Sequence, residues 1–249
     1  TAIYVETGLM REGESATVQE TFERLGIPLR VADRAESVLA GLRGKQTMRE
    51  KREVVVACLH EEMIRQTEAI PGAKTLVMGT NYSDFLGGAN NAVWQDCGMA
   101  VLEPLALLFR EEVRAIAETL GMDSSIVQRK PFPLMGLGAR IIGEVTPEKL
   151  AALRKADAIF SGEIREAGLN KKLYKYFPIM VDAQKETSTI ILRAVTISGA
   201  MLVPARLPYD LVERTVERIL ETTPTVRRVF YDQTDADRKR DISIKRVPP

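Results

Sequence analysis

A chain of 249 residues exceeds the roughly 100–200 of a usual single domain, so two modest domains are expected. Its 45% hydrophobic and 28% charged residues suffice for a buried core and exclude wholesale disorder, while a net charge of +1 excludes the basic footprint of a protein that binds nucleic acid or an anionic membrane. Two cysteines, Cys58 and Cys97, and the single His60 give no disulfide framework or zinc-ligand spacing, and no apolar run approaches the ~20 residues of a membrane span, so a reducing, cytoplasmic setting is expected.

In chain order, residues 2–5 have the β-branched and aromatic composition of a strand, and with no leading turn before them further residues are expected upstream of Thr1. Residues 14–25 predict a helix closed by Gly26-Ile27-Pro28, residues 29–31 a short strand, and residues 48–69 a long helix broken at Pro71-Gly72. A buried strand at 75–78 then runs into Gly79-Thr80-Asn81-Tyr82-Ser83-Asp84. This alternation predicts an α/β layer with a parallel sheet, in which ligands sit beyond the carboxyl ends of strands, where the Gly79 loop falls. Residues 101–105 lead into a helix near 109–120, whose Val113, Ile116, Ala117 and Leu120 mark one apolar face and predict a core helix.

The Pro- and Gly-rich run from Lys130 to Gly138 predicts a domain boundary, dividing residues 1–130 from 131–249. Beyond it, Thr146 reads as an N-cap with Pro147 at the first helical position, opening a helix towards Gly168. Strands at 179–181 and 189–196, a helix at 209–221 with a Val212, Val216, Ile219 stripe, and a strand at 226–231 predict a small α+β domain, followed by a charged end at 235–246.

The Gly79 loop offers specific chemistry. Gly79 permits close backbone approach, the Thr80 hydroxyl can donate to a phosphate oxygen, and the Asp84 carboxylate is a hard ligand suited to Mg²⁺. The plainer alternative is a strand-end turn with Asp84 as a helix cap. Arg129, Lys130 and Arg140 flank the Pro-fixed boundary and can pair with a nucleotide phosphate, or can be ordinary surface charge near a linker. His60 is expected to be a surface or satisfied residue and Trp94 a packing residue, while Cys97 beside Asp96 carries only weak support for thiolation chemistry.

Six ordered blocks resemble the GMP synthase family: Pro131-Phe132-Pro133, Gly143-Glu144-Val145-Thr146, Ala156-Asp157-Ala158-Ile159, Leu192-Arg193-Ala194-Val195, Arg206-Leu207-Pro208-Tyr209-Asp210-Leu211 and Arg228-Val229-Phe230-Tyr231-Asp232. Thr7-Gly8-Leu9-Met10-Arg11, the Gly79-Thr80-x-Tyr82-x-Asp84 loop and Leu102-Glu103-Pro104-Leu105 extend the resemblance over nearly the whole chain. It implies an adenine nucleotide alpha hydrolase-like domain of the N-type ATP pyrophosphatase class, followed by an α+β domain that forms a homodimer. It further implies ATP and Mg²⁺ as cofactors. Thr7, Gly8, Gly79, Thr80 and Asp84 would face ATP, with Asp84 the metal ligand, and Arg129, Lys130 and Arg140 would lie in the substrate-nucleotide region.

In that family xanthosine monophosphate is adenylated on its C2 oxygen, pyrophosphate leaves, and ammonia from a glutaminase domain or separate subunit displaces AMP to give GMP. The 249 residues hold no nucleophilic Cys with His and Glu partners, so the ammonia source is expected elsewhere. They also lack the family's Ser-Gly-Gly-x-Asp-Ser phosphate loop, whose place is expected upstream of Thr1. The chain departs from the family at Lys130 and Leu134-Met135-Gly136, at the shortened segment 182–186, at Gly87-Gly88-Ala89-Asn90-Asn91, and after Asp235. These departures touch substrate-binding segments, so two alternatives stay open: a paralogue acting on another nucleotide or base, and a non-catalytic dimeric nucleotide-binding protein.

Overall fold

The structure, a computed structural model, describes residues 1–86, 98–130, 132–182, 187–198 and 201–234. The described residues divide into two compact units: 1–55 with those of 134–234, and those of 56–133.

In the first unit, β1 (Ala2–Glu6) and β2 (Leu29–Asp33) pair in parallel, with Ala2 opposite Leu29 and Glu6 opposite Asp33. Helix α1 (Glu14–Arg24) connects them, as parallel pairing requires a crossover. Helix α2 (Ala35–Leu42) follows, anchored by fully buried Val38 and Leu42. It has no counterpart among the expected elements, because eight residues with an internal Gly41 give too short a periodic signal. Helix α3 (Met48–Glu68) begins in this unit and continues into the other.

The remainder of the first unit is built on a four-stranded sheet. Strand β5 (Lys175–Asp182) runs antiparallel to the long β6 (Ser188–Ser198), with Lys175 opposite Val195 and Asp182 opposite Ser188. Along β6 lie β7 (Met201–Pro204), antiparallel, and β8 (Val226–Asp232), parallel. Helix α7 (Pro147–Glu166) starts as expected: the Thr146 hydroxyl accepts from the Lys149 amide at 3.3 Å, with Pro147 next in line. Its buried stripe is Leu150, Leu153, Ala156, Phe160 and Ile164. Phe160 meets Tyr176 edge-on at 6.2 Å, and Tyr176 pairs with Ala194, so this stripe covers the sheet face carrying Ala194. Helix α8 (Tyr209–Thr222) packs on α7 and β8. Its buried residues are Leu211, Thr215 and Ile219, one position round from the expected Val212 and Val216. Thr215 can be buried because its hydroxyl donates to the Leu211 carbonyl at 2.7 Å.

In the second unit, β3 (Thr75–Val77) and β4 (Ala100–Leu102) form a parallel pair, accompanied by α4 (Tyr82–Leu86), α5 (Arg110–Thr119) and α6 (Ser124–Val127). The amide of Phe109 donates to Glu112 Oε2 at 2.7 Å and opens α5. The expected core role of this helix is not met: Leu120 is 76% exposed, and no residue of α5 is buried. Among the described residues of this unit, a pair of three-residue strands offers too little surface to bury a ten-residue helix. Among the described residues, no helix is long and apolar enough to cross a membrane.

Candidate functional site

In the first unit the expected nucleotide residues Thr7 and Gly8 leave the end of β1, the position where open α/β sheets place their ligands. Gly8 has φ 74° and lies so close to α2 that a Cβ would meet Ala35 Cβ at 2.9 Å, so only glycine fits. Its amide donates to Glu6 Oε1 at 2.7 Å, and the buried Thr7 hydroxyl accepts from the Leu9 amide at 3.4 Å. Glu6 is itself held by Ser15, whose hydroxyl pairs with Tyr4 at 3.0 Å.

Three successive carbonyls of this loop are held by residues more than 120 positions further along the chain. Arg154 of α7 donates through Nη2 to the Gly8 carbonyl at 2.7 Å and through Nε to the Met10 carbonyl at 2.9 Å. Between them, the Leu9 carbonyl accepts from the Leu137 amide at 2.7 Å. One turn further along α7, the buried Asp157 receives Arg140 Nη1 at 2.6 Å and Arg11 Nε at 3.3 Å. Arg140 lies in the 3₁₀ turn Gly136–Arg140 and stacks over Phe177 at 5.0 Å. Burial pulls its guanidinium down to about 10, against the opposing pull of Asp157, with Arg11 adding to the depression. Of the three basic residues expected near the substrate, Arg140 is thus the one built into the protein interior.

A second basic group lies alongside. Lys51 of α3 is buried, donates to the Ile141 carbonyl at 2.7 Å, and is pulled down to about 8 by burial and then by Lys149. Lys149 pairs with Asp182 at 2.6 Å.

In the second unit, the expected loop Gly79–Asp84 forms as a turn at the end of β3 leading into α4. Thr80 is buried and Gly79 exposed. Asp84 Oδ1 accepts from Arg110 Nη2 at 2.9 Å and Oδ2 from the Asn81 amide at 3.1 Å. The loop is tied further to the start of α5, with the Tyr82 amide on the Leu108 carbonyl at 2.8 Å, the Arg110 amide on Ser83 Oγ at 3.1 Å, and Tyr82 edge-on to Phe109 at 5.0 Å. Each Asp84 oxygen thus accepts one of these bonds and keeps a second acceptor site. Among the described residues no group of three or more His, Cys, Asp or Glu could hold a metal ion. Arg129 is exposed and Lys130 half-buried, just beyond α6; burial and then Arg114 pull Lys130 below its ordinary value. Arg114 Nη2 donates to the Arg129 carbonyl at 3.2 Å.

Glu6, Arg11, Arg110, Arg154 and Asp157 have no place among the expected site residues. A sequence signal existed for two of them: Arg154 and Asp157, three apart, interrupt a helix face otherwise formed by Leu150, Leu153 and Phe160, and a charged pair on a buried face needs partners. His60 is half-buried and Cys58 buried. Trp94, Cys97, Pro131, the segments 87–91 and 183–186, and the charged end 235–249 lie outside the described residues.

No protein-family model matches the chain. It is 38% identical to the GMP synthase [glutamine-hydrolyzing] of Thermomicrobium roseum and 39% identical to that of Halothermothrix orenii, in each case over 94% of this chain and 50% of the relative. The chain thus spans about half the length of these curated relatives. It is also 38% identical to a Methanocaldococcus jannaschii protein named as one subunit of a GMP synthase [glutamine-hydrolyzing], over 94% of this chain and 81% of that one. A match of that identity over 94% of the chain and 81% of the relative shows that the chain belongs to the GMP synthase family.

Proposed function

We propose that this chain carries the nucleotide-activating half of GMP synthesis: ATP-dependent adenylation of xanthosine monophosphate, release of pyrophosphate, and displacement of AMP by ammonia. The observation that supports it most is the 38% identity to a relative named as one subunit of a GMP synthase, of which the chain covers 81%. A relative so named fits a division of labour in which a separate glutaminase supplies ammonia. Thr7, Gly8, Gly79 and Thr80 are assigned to ATP, and Arg129 and Lys130 to the phosphate of the substrate nucleotide. Arg140 is assigned to holding the β1 loop, because its guanidinium is buried on Asp157. Residues 1–130 are assigned to an ATP pyrophosphatase domain and 131–249 to a dimerisation domain. The sheet of the latter leaves Ile197 56% and Phe230 52% exposed, apolar surface suited to a second copy in a homodimer. A cytoplasmic setting belongs to the same proposal.

Mg²⁺ would neutralise the phosphate charge of ATP and help pyrophosphate to leave. Asp84, which keeps an acceptor site on each oxygen, is assigned to it, and every other role named here belongs to a side chain or backbone group of the protein.

The test is pyrophosphate release by the full-length protein with ATP, Mg²⁺, ammonium and a panel of purine nucleotides. Release that depends on xanthosine monophosphate is expected. Release with a different nucleotide would favour the paralogue, which the altered sequence at Lys130 and 182–186 keeps in play. No release with any nucleotide would remove the enzymatic proposal.

A further inference from the structure

We infer that Arg154 is a positioning residue of the nucleotide site: it fixes the shape of the Thr7–Met10 loop from α7 and so ties that loop to the sheet α7 covers. The inference rests on the assignment of Thr7 and Gly8 to ATP. Its structural basis is that one guanidinium holds the carbonyls on either side of Leu9, at 2.7 and 2.9 Å, across 146 and 144 residues of sequence. The fork of an arginine can reach both at once, which a lysine ammonium on a flexible stem cannot do with the same geometry.

The surroundings leave the loop little choice of shape. Leu9 is fully buried and its carbonyl is taken by Leu137, while the Gly8 amide is taken by Glu6. Arg11, two residues beyond Leu9, is drawn onto Asp157, three residues after Arg154 on the same helix. At its other end α7 carries the buried Glu163, which receives Arg214 at 3.2 Å and Arg218 at 2.7 Å from α8. The helix that holds the loop is therefore also the one that binds the sheet-covering helices together. Glu163 supplies a control: its replacement weakens the α7–α8 contact without touching the loop.

The experiment compares R154A, R154K and E163Q in the full-length protein by two readouts. The first is amide hydrogen exchange of the peptide spanning residues 5–12, which reports loop order directly. The second is steady-state pyrophosphate release as a function of ATP. R154A is expected to speed exchange in that peptide and raise the KM for ATP roughly tenfold with kcat within about threefold, because an ordered loop binds ground and transition states alike. R154K should fall between R154A and the wild type. E163Q should lower thermal stability yet leave both readouts unchanged. Wild-type exchange in R154A, or the same changes in E163Q, would overturn the positioning role. Faster exchange in R154A with unchanged KM would overturn its link to ATP. If the wild type itself shows no ATP dependence, the enzymatic proposal fails, and the exchange comparison still decides whether Arg154 fixes the loop.

Discussion

Replacing Gly136 by alanine tests whether the β1 loop and the 3₁₀ turn are held in one fixed contact. Gly136 has φ 52°, and a Cβ there would lie 2.2 Å from the Leu9 carbonyl oxygen and 2.8 Å from its carbon. The left-handed backbone costs an alanine about 1–2 kcal/mol. The clash cannot be relieved by a rotamer change, because the atom met is backbone; carbon and oxygen must separate to about 3.3 Å. That movement opens the buried bond from the Leu137 amide to the Leu9 carbonyl, now 2.7 Å, at a cost of about 1–3 kcal/mol. Stiffening the unfolded chain returns only about 0.4–1 kcal/mol. The net loss is therefore about 3 kcal/mol, or roughly 10 °C in the melting of a unit of this size. Gly138→Ala is the control, since its Cβ would meet Leu9 Cδ1 at 3.4 Å, near ordinary contact, and should cost under about 1 kcal/mol. Urea titrations followed by circular dichroism measure both variants. Equal midpoints for the two would refute the fixed contact between Gly136 and Leu9.

Lys51 predicts a pH dependence. Below about 8 both states carry its proton and the folded state bears the burial cost; between about 8 and its ordinary 10.5 the unfolded state binds more protons, so stability rises with pH. Wild type should gain about 2 kcal/mol from this group between pH 7.5 and 9.5, and Lys51→Met should lose that gain; parallel pH profiles would contradict it. Asp84→Asn should cost about 1 kcal/mol by weakening a half-exposed pair with Arg110 and, with Asp84 assigned to Mg²⁺, should abolish Mg²⁺-dependent pyrophosphate release. Unchanged turnover in that variant would leave Asp84 a structural residue of the turn. Ile197→Asp, on an exposed part of the sheet, should shift sedimentation from dimer to monomer without unfolding, whereas Val195, only 6% exposed, should not tolerate the same change. A monomeric wild type at micromolar concentration would count against the dimer.

The elements most legible in the sequence are those whose local signals agree with their packing. Helix α7 combines an N-cap, a Pro at the first position and a long apolar stripe, and it starts where Thr146 predicts. The α8 stripe is displaced by one residue because periodicity ranks Thr215 as polar, while an internal hydroxyl bond lets it be buried. Helix α5 shows the converse: its apolar face is plain in the sequence, yet periodicity says nothing about whether a partner of sufficient area exists.

The same division runs through the site. Gly8 and the Gly79 turn are legible because glycine and turn residues report local backbone shape. Arg154 is read only in three dimensions, since its bonds to Gly8 and Met10 join positions 146 and 144 residues apart. A charged residue on a buried helix face states that a partner is required, without naming it. Here the partners are carbonyls rather than carboxylates, which no pattern of side chains could reveal. The neighbouring Asp157 sharpens the point: one carboxylate serves Arg11 from the β1 loop and Arg140 from the 3₁₀ turn. Three segments distant in sequence therefore share one buried charge, and a change at any of them should be felt at the end of β1.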